Sequence, residues 1–434
     1  MDSNAVHGIV GGGLCLGGDE PWHFVPNALP AVAGRLGAWV GVLAGRSPRK
    51  ACLVKPHLVY LVTEDWYFVS HRLVLAEAAR AAGWEVTVVT RCTQAWHEIE
   101  AAGIAVVPLA MDRRGLNPYG LAREVVALAR IYRRLRPDVV HHVALRPVVV
   151  GSLAARLARV SRVISAIAGL GYVWTERSSL VSGGSFGWLR LTLGGVLRLA
   201  LARGAVIVQN PDDLEAVAAL GVARQRLHLI PGAGVDVSRF THQPEPDGMP
   251  VVLMASRLLR DKGVAEFVAA ARALRGRARF VLAGAPDEGN PASVTADELA
   301  AWVREGAIDW WGSRANMPEV LSQAHIVCLP SSYREGLPKV LLEAMACGRA
   351  CVTTDTPGCR DAVRHGDNGL LVPERDAEAL AAAIGVLLEN APMRHKMGAR
   401  GRERAIAEFS TDRVITATLA LYPRPVRSGE TEVR

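Results

Sequence analysis

Apolar residues in this chain gather into short dense runs, and breaks rich in Gly, Pro and charged residues separate them. HLVYLVT, His57–Thr63, is the first. A run of this kind, with β-branched and aromatic residues throughout, predicts a strand covered on both faces. Ser70–Ala82 carries a helical pattern that Gly83 ends, and Trp84–Thr90 predicts the next strand. Ile104–Leu109, Asp138–His142, Val163–Ala166 and Ala205–Gln209 continue the series, with a helix over Leu121–Leu135. A second series begins after Pro250, with strands at Val251–Ala255, Arg279–Ala283, Ile308–Trp310, Ile326–Leu329, Ala350–Thr353 and Leu370–Val372. Strands alternating with helices predict an α/β chain built from parallel sheets with helices on both faces. Between the two series, Thr241–Met249 (THQPEPDGM) has the Pro and Gly content of a linker. Two doubly wound units in tandem follow, over 55–240 and 250–409, with ligand expected in the cleft between them at the strand carboxyl ends.

Residues 1–54 lack this rhythm. They are rich in Gly, Ala and Pro, and the ten-residue apolar run Leu36–Gly45 is too short to span a bilayer. GIVGGG there has no strand–turn–helix frame, so it is not read as a nucleotide loop. The expectation is a flexible extension, with translation beginning near Val54 as the sharper alternative. No uninterrupted apolar stretch in the chain reaches 18 residues. Seven scattered cysteines without a CxxC or zinc-ligand spacing predict reduced thiols in a cytosolic protein.

Charge changes the picture more than composition does. The net charge is +8, yet residues 55–235 hold 21 basic against 13 acidic groups while 236–434 hold 25 against 26. The excess therefore sits in the first unit and invites an anionic partner there. On the helix Leu121–Arg136, the residues Arg123, Arg130 and Arg134 fall on one side, opposite Leu121, Val125, Leu128, Tyr132 and Leu135. Such a stripe fits either an anionic membrane surface or ordinary solvent. Trp188–Arg203 is apolar nearly all round, which fits burial or shallow embedding in lipid. Arginines interleaved with aromatics in a stacking pattern are not found, so nucleic acid is not expected as a partner.

Candidate chemistry lies mainly in the second unit. Arg257 and Lys262 follow a strand, where two cations suit a diphosphate. Lys262 is one of only five lysines in a chain that otherwise uses arginine. In Pro330–Gly348 (PSSYREGLPKVLLEAMACG), a strand end leads through Glu335 and Gly336 to a helix with Pro338 at its first position. Gly336 permits close backbone approach, and the helix N-terminus behind it suits phosphate. Glu343 lies on an otherwise apolar helix face and needs a partner, either a ligand diol or a structural cation. No Asp-x-Asp pair, the usual metal holder of nucleotide-sugar enzymes, is present at a strand end. No metal or other cofactor is expected.

EGLPKVLLE is similar to the Glu-x7-Glu motif of the retaining glycosyltransferases of family 4, and ASRLLRDKG resembles that family's Arg-x4-Lys diphosphate clamp. PGAGVD and TDTPGCRDAVRHGDNGLLVP fit its later segments. HHVALRPVVVGSLAAR and AIAGLGYVWT resemble a branch that builds bacterial surface polysaccharides on polyprenyl-diphosphate carriers. The resemblance spans about 55–420 and implies the GT-B fold, two Rossmann-like domains facing a cleft, with a C-terminal helix over 410–422 packing back on the first. It implies a hexosyltransferase using a nucleotide-diphosphate sugar, UDP-linked by expectation, on a polyprenyl-linked saccharide at the inner face of the cell membrane. Glu335, Arg257 and Lys262 would be catalytic. Glu343 would take the ribose hydroxyls. Gly336, Leu337 and Pro338 would lie at the donor, with the backbone N–H groups of Gly336, Leu337 and Lys339 meeting the sugar and β-phosphate while the Lys339 side chain is a surface cation, and Gly312 would sit in the base-binding turn. Against the family pattern, the first loop is Thr63-Glu64-Asp65-Trp66 rather than glycine-rich. Of two expected histidines one residue apart, His141 matches the first while Val143 stands at the second. His141, His142, Arg146 and Asp65 are the acceptor candidates, and Gly169-Leu170-Gly171-Tyr172 is expected to turn near the cleft. A sugar-nucleotide epimerase or a glycosyltransferase acting on a small molecule are the alternatives.

Overall fold

A computed structural model describes residues 55–111, 118–170, 194–287 and 290–423. The expectations for residues 1–54 and for Gly171-Tyr172 lie outside the described residues. Thirteen strands form two sheets among the described residues, and every pairing between them is parallel. The first contains β1 (His57–Glu64), β2 (Glu85–Arg91), β3 (Ala105–Pro108), β4 (Val139–Val143), β5 (Arg162–Ala166), β6 (Ala205–Val208) and β7 (Leu227–Leu229) in the order β3-β2-β1-β4-β5-β6-β7. The second contains β8 (Val251–Ala255), β9 (Arg279–Ala283), β10 (Asp309–Trp310), β11 (Ile326–Leu329), β12 (Ala350–Thr354) and β13 (Gly369–Val372) in the order β10-β9-β8-β11-β12-β13. Chain order reverses between β1 and β4 and again between β8 and β11, so each sheet has one switch point where its loops diverge and leave a crevice.

The central strands are buried end to end because helices cover both faces of each sheet. Val251–Ala255, Ile326–Leu329 and Ala350–Thr354 have no exposed residue. Around the first sheet the core divides in two. Leu58, Tyr60, Val62 and Phe68 belong to one face. Val59, Leu61, Leu128 and Tyr132 belong to the other. This split is the period-two alternation of β1. The helix Pro118–Leu135 buries Val125, Leu128 and Tyr132 and leaves Arg123, Arg130, Arg133 and Arg134 exposed. Of the Trp188–Arg203 segment, residues 194–203 are described. Leu197, Ala200 and Leu201 are buried there, while Val196 is 39% and Leu199 is 49% exposed.

The chain leaves the first sheet, crosses the coil 241–250, builds the second and returns. Helix Thr411–Leu419 packs on helix Leu73–Ala81, and the Tyr422 hydroxyl lies 2.9 Å from that of Tyr60 in the first core. Arg394, 5% exposed, forks onto Glu245 and anchors the crossing coil. The helix expected over Ser70–Ala82 is two helices, Asp65–His71 and Leu73–Ala81, broken at Arg72. No helix among the described residues is long and apolar enough to cross a membrane.

Candidate functional site

The carboxyl ends of β8 and β11 carry the charged residues of the second sheet's switch point. Arg257 follows β8 by two residues and donates to Asp287 at 2.8 Å. A short turn, Arg260–Lys262, brings Lys262 back toward the loop after β11. Gly263 makes that return possible. It has φ of 81°, and a Cβ there would lie 2.1 Å from the Pro330 carbonyl oxygen. Lys262 ion-pairs with Glu335, whose Oε1 also accepts from the Ser331 hydroxyl at 2.9 Å. Glu335 is 9% exposed, so its charge is held by two fixed donors.

Beyond Glu335 the chain enters helix Lys339–Ala346 with Pro338 as its N-cap, one residue before the expected helical position. Glu343 sits on this helix at 5% exposure. Burial pushes its carboxyl up from the ordinary 4.5, and the Lys339 ammonium at 3.1 Å offsets part of that. Lys339 also donates to the Ser70 carbonyl oxygen at 2.9 Å and so bridges the two domains. In the sequence Lys339 looks like a surface cation. Its only local signal was the four-residue spacing to Glu343.

Between the domains runs a cleft of about 1080 Å³. Arg257, Gly284, Asp287, Lys339 and Glu343 line it from the second domain. Ser70, His71 and Arg72 line it from the first. Gly312 has φ of 69° and its carbonyl accepts from the Gly284 amide at 2.8 Å, which places Ser313 on the cleft wall. Among the described residues, no three His, Cys, Asp or Glu side chains gather as metal ligands do.

Several candidates occupy other places than expected. The close approach at Gly336 is made by protein. A Cβ there would lie 2.1 Å from Gln209 Oε1, and a Cβ on Gly169 would lie 2.7 Å from the Gly336 nitrogen. The Leu337 amide donates to Gln209 Oε1 at 3.0 Å, and Asn210 Nδ2 donates to the carbonyls of Glu335 and Gly336. The glycine turn thus seals the two domains together here, and the Leu337 N–H meets a side-chain amide rather than open space. Arg334 and Arg360 reinforce the seam on Asp213 and Asp212. Burial raises the Asp213 carboxyl to about 6 despite Arg334.

In the first domain, His141 and His142 are both fully buried on β4 and point to opposite faces of the sheet. His141 Nδ1 is 2.7 Å from the Tyr422 hydroxyl, and His142 Nε2 is 3.1 Å from the Tyr132 hydroxyl. Desolvation holds the His141 imidazole well below the usual range and His142 at about 3, so both are neutral. Neither reaches an acceptor in this arrangement. They are core histidines, buried by tyrosines brought from elsewhere in the chain. Asp65 is likewise 0% exposed. Its carboxylate takes backbone N–H groups from Trp66, Thr93, Ala95 and Trp96 at 2.6–3.1 Å, together with the Thr93 hydroxyl. Burial alone would raise its pKa, but these bonds together hold it below 3.8. Asp65 clamps a loop and has no lone pair turned to the cleft. Arg146 pairs with Glu124 at 2.8 Å. What sequence reading missed is His71 and Arg72, which line the cleft at the helix break.

Comparison with known proteins shows the family and the fold. Residues 238–404 match the glycosyl transferases group 1 family, and residues 57–193 match the glycosyl transferase 4-like family. Over 371 residues the chain is 27% identical to N,N'-diacetylbacillosaminyl-diphospho-undecaprenol alpha-1,3-N-acetylgalactosaminyltransferase of Campylobacter jejuni, covering 82% of this chain and 96% of that protein. Anabaena HepE in complex with UDP and glucose superposes with a TM-score of 0.68 at 18% identity, over 84% of this chain and 98% of that one. Sucrose-phosphate synthase of Thermosynechococcus elongatus does so with a TM-score of 0.68 at 23% identity, over 85% and 98%. These two likenesses concern the fold alone.

Proposed function

The chain is a glycosyltransferase of the GT-B fold, with group 1 and family 4-like glycosyltransferase domains, and we propose that it moves a hexose from a UDP-sugar to a polyprenyl-diphosphate-linked saccharide with retention of anomeric configuration. The observation that carries this reading is a pair of buried carboxylates, Glu335 and Glu343, presented eight residues apart by one strand–loop–helix turn beside Arg257 and Lys262. A buried carboxylate on a cleft wall is a strong acceptor for paired hydroxyls, so Glu343 takes the ribose diol. Glu335 takes hydroxyls of the donor sugar. Arg257 and Lys262 exchange Asp287 and Glu335 for the diphosphate, and the amino end of helix Lys339–Ala346 adds its dipole. Fixed cations then carry the leaving charge without a divalent ion. The acceptor attacks on the face the diphosphate leaves, and a phosphate oxygen takes the acceptor proton.

Support for a lipid-linked acceptor comes from the name of the Campylobacter relative, matched over nearly its whole length. The exposed arginines 123, 130 and 134 fit docking on the anionic inner face of a membrane. The test is transfer from a panel of UDP-hexoses to a prenyl-diphosphate-linked monosaccharide, with the product anomer read by NMR. Expected is an α-linkage from an α-linked donor. An inverted linkage overturns the mechanism, and turnover confined to water-soluble acceptors overturns the acceptor class.

A further inference from the structure

Arg72 is the residue at which the helix expected over Ser70–Ala82 breaks in two. Its backbone, at φ of −133° and ψ of −15°, departs from both flanking helices and sets the side chain into the interdomain cleft wall. The residue is only 4% exposed. Its Nε is buried without a hydrogen-bond partner, and among the described residues no carboxylate pairs with its guanidinium. Buried arginines elsewhere in this chain are compensated. Arg394 forks onto Glu245, and Arg349 donates to the carbonyls of Leu321, Ser322 and Pro244. A guanidinium keeps its charge at physiological pH, so a buried one with no carboxylate beside it gains from an anion that reaches it.

His71, the neighbouring residue, lines the same cleft. Its ring stacks on Tyr67 with centroids 4.2 Å apart, which fixes its plane. Lys339 reaches across from the second domain to the Ser70 carbonyl, one residue before this pair. Nitrogen-bearing side chains of the two domains thus come together at this end of the cleft, and Arg72 is the N-cap residue of helix Leu73–Ala81. Apolar side chains stand among them: Trp66, Val69, Val74 and Ile415 line the same cleft, with Val74 51% exposed, and Gln94 and Glu98 line it as well. A charged centre bordered by apolar side chains matches an anion carried on a hydrocarbon chain.

Resting on the lipid-linked acceptor reading above, we infer that Arg72, seconded by His71, holds the diphosphate of the prenyl-diphosphate acceptor. The donor diphosphate belongs to Arg257 and Lys262 of the second domain, so the two anionic groups are held by different domains. Arg72 binds the acceptor and takes no part in bond-making. Its charge orients the carrier so that the saccharide beyond the diphosphate points to the donor.

The experiment titrates farnesyl diphosphate into the full-length protein saturated with UDP, by calorimetry, for wild type, Arg72→Met and Arg72→Lys. Expected is binding to the wild type that weakens about ten- to a hundredfold in Arg72→Met, the range of a lost charge-assisted hydrogen-bond pair, with Arg72→Lys between. UDP affinity stays within about twofold, since Arg72 is assigned to the acceptor diphosphate and not to the donor. The unliganded melting temperature of Arg72→Met does not fall, because no carboxylate loses its partner. Equal farnesyl diphosphate affinity in wild type and Arg72→Met overturns the assignment, as does a lowered melting temperature with unchanged affinity, which marks a structural arginine. Transfer to the prenyl-linked acceptor that Arg72→Met leaves untouched overturns this inference alone. Wild type that neither binds farnesyl diphosphate nor glycosylates any prenyl-linked acceptor overturns it together with the acceptor class beneath it.

Discussion

Replacing Glu343 by glutamine separates its two roles. In the unliganded protein the carboxylate is a burden: it is buried, and its pKa is raised above 4.5 by desolvation that Lys339 offsets in part. The folded state therefore holds the Glu343 proton more tightly than the unfolded chain does. By linkage, stability falls as pH rises from 4.5 through the raised value, and Glu343→Gln removes that fall. In the nucleotide complex the sign reverses. Two hydroxyl-to-carboxylate bonds become two bonds to a neutral amide, of which only the oxygen accepts. Bonds to a charged partner are worth about 1.5–3 kcal/mol against about 0.5–1.5 for neutral ones, so the loss is about 1–3 kcal/mol, or roughly 5- to 150-fold in the UDP dissociation constant. Calorimetric titration of UDP measures the second effect, and melting temperature against pH measures the first. The reasoning is refuted if UDP affinity changes less than about twofold. It is refuted equally if unliganded Glu343→Gln melts several degrees lower at neutral pH, because the carboxylate would then be a structural anchor for Lys339.

Two further outcomes follow from the seam and the first loop. Gln209→Ala removes the acceptor that engages the Leu337 amide and clears the space over Gly336. UDP-sugar binding should tighten by about the net worth of one neutral hydrogen bond, roughly two- to twelvefold, and weaker binding in a direct titration would show that Gln209 supports the donor site instead. Asp65→Ala leaves buried amides of Thr93, Ala95 and Trp96 without their acceptor and should destabilise the protein by about 2–4 kcal/mol in denaturant melts, whereas an acceptor contact would leave stability intact. Because its hydrogen bonds hold the Asp65 carboxyl below 3.8, the stability it contributes is present above that pH and lost as pH falls beneath it.

Strands were legible because parallel, doubly covered strands write themselves as continuous apolar runs between breakers. Val251–Ala255, Arg279–Ala283 and Ile326–Leu329 appear with the expected ends. Leu227–Leu229 did not, since three residues carry no period. Asp65–His71 did not either, because its aromatic and β-branched residues (WYFV) favour strands, and tertiary packing of Phe68 on Tyr60 overrides that preference. Within the site, placement could be read where one continuous segment fixes it: Arg257, Lys262 and Glu335 follow two adjacent strand ends, and Glu343 lies on the helix after the second. Residues whose surroundings come from far along the chain could not. His141 is closed off by Tyr422, 281 positions away, and Gly336 is covered by Gln209 from the other sheet. Arg72 carries no local signal, since an arginine ending one helical turn looks in sequence like any surface cation.

The central claim is that two fixed cations and a helix terminus take the charge of the departing diphosphate. Its most direct test is the initial rate of sugar transfer in excess EDTA, followed by added manganese. The account predicts a rate that the chelator leaves unchanged and manganese does not raise. Loss of turnover in EDTA, with recovery on adding manganese, would contradict it.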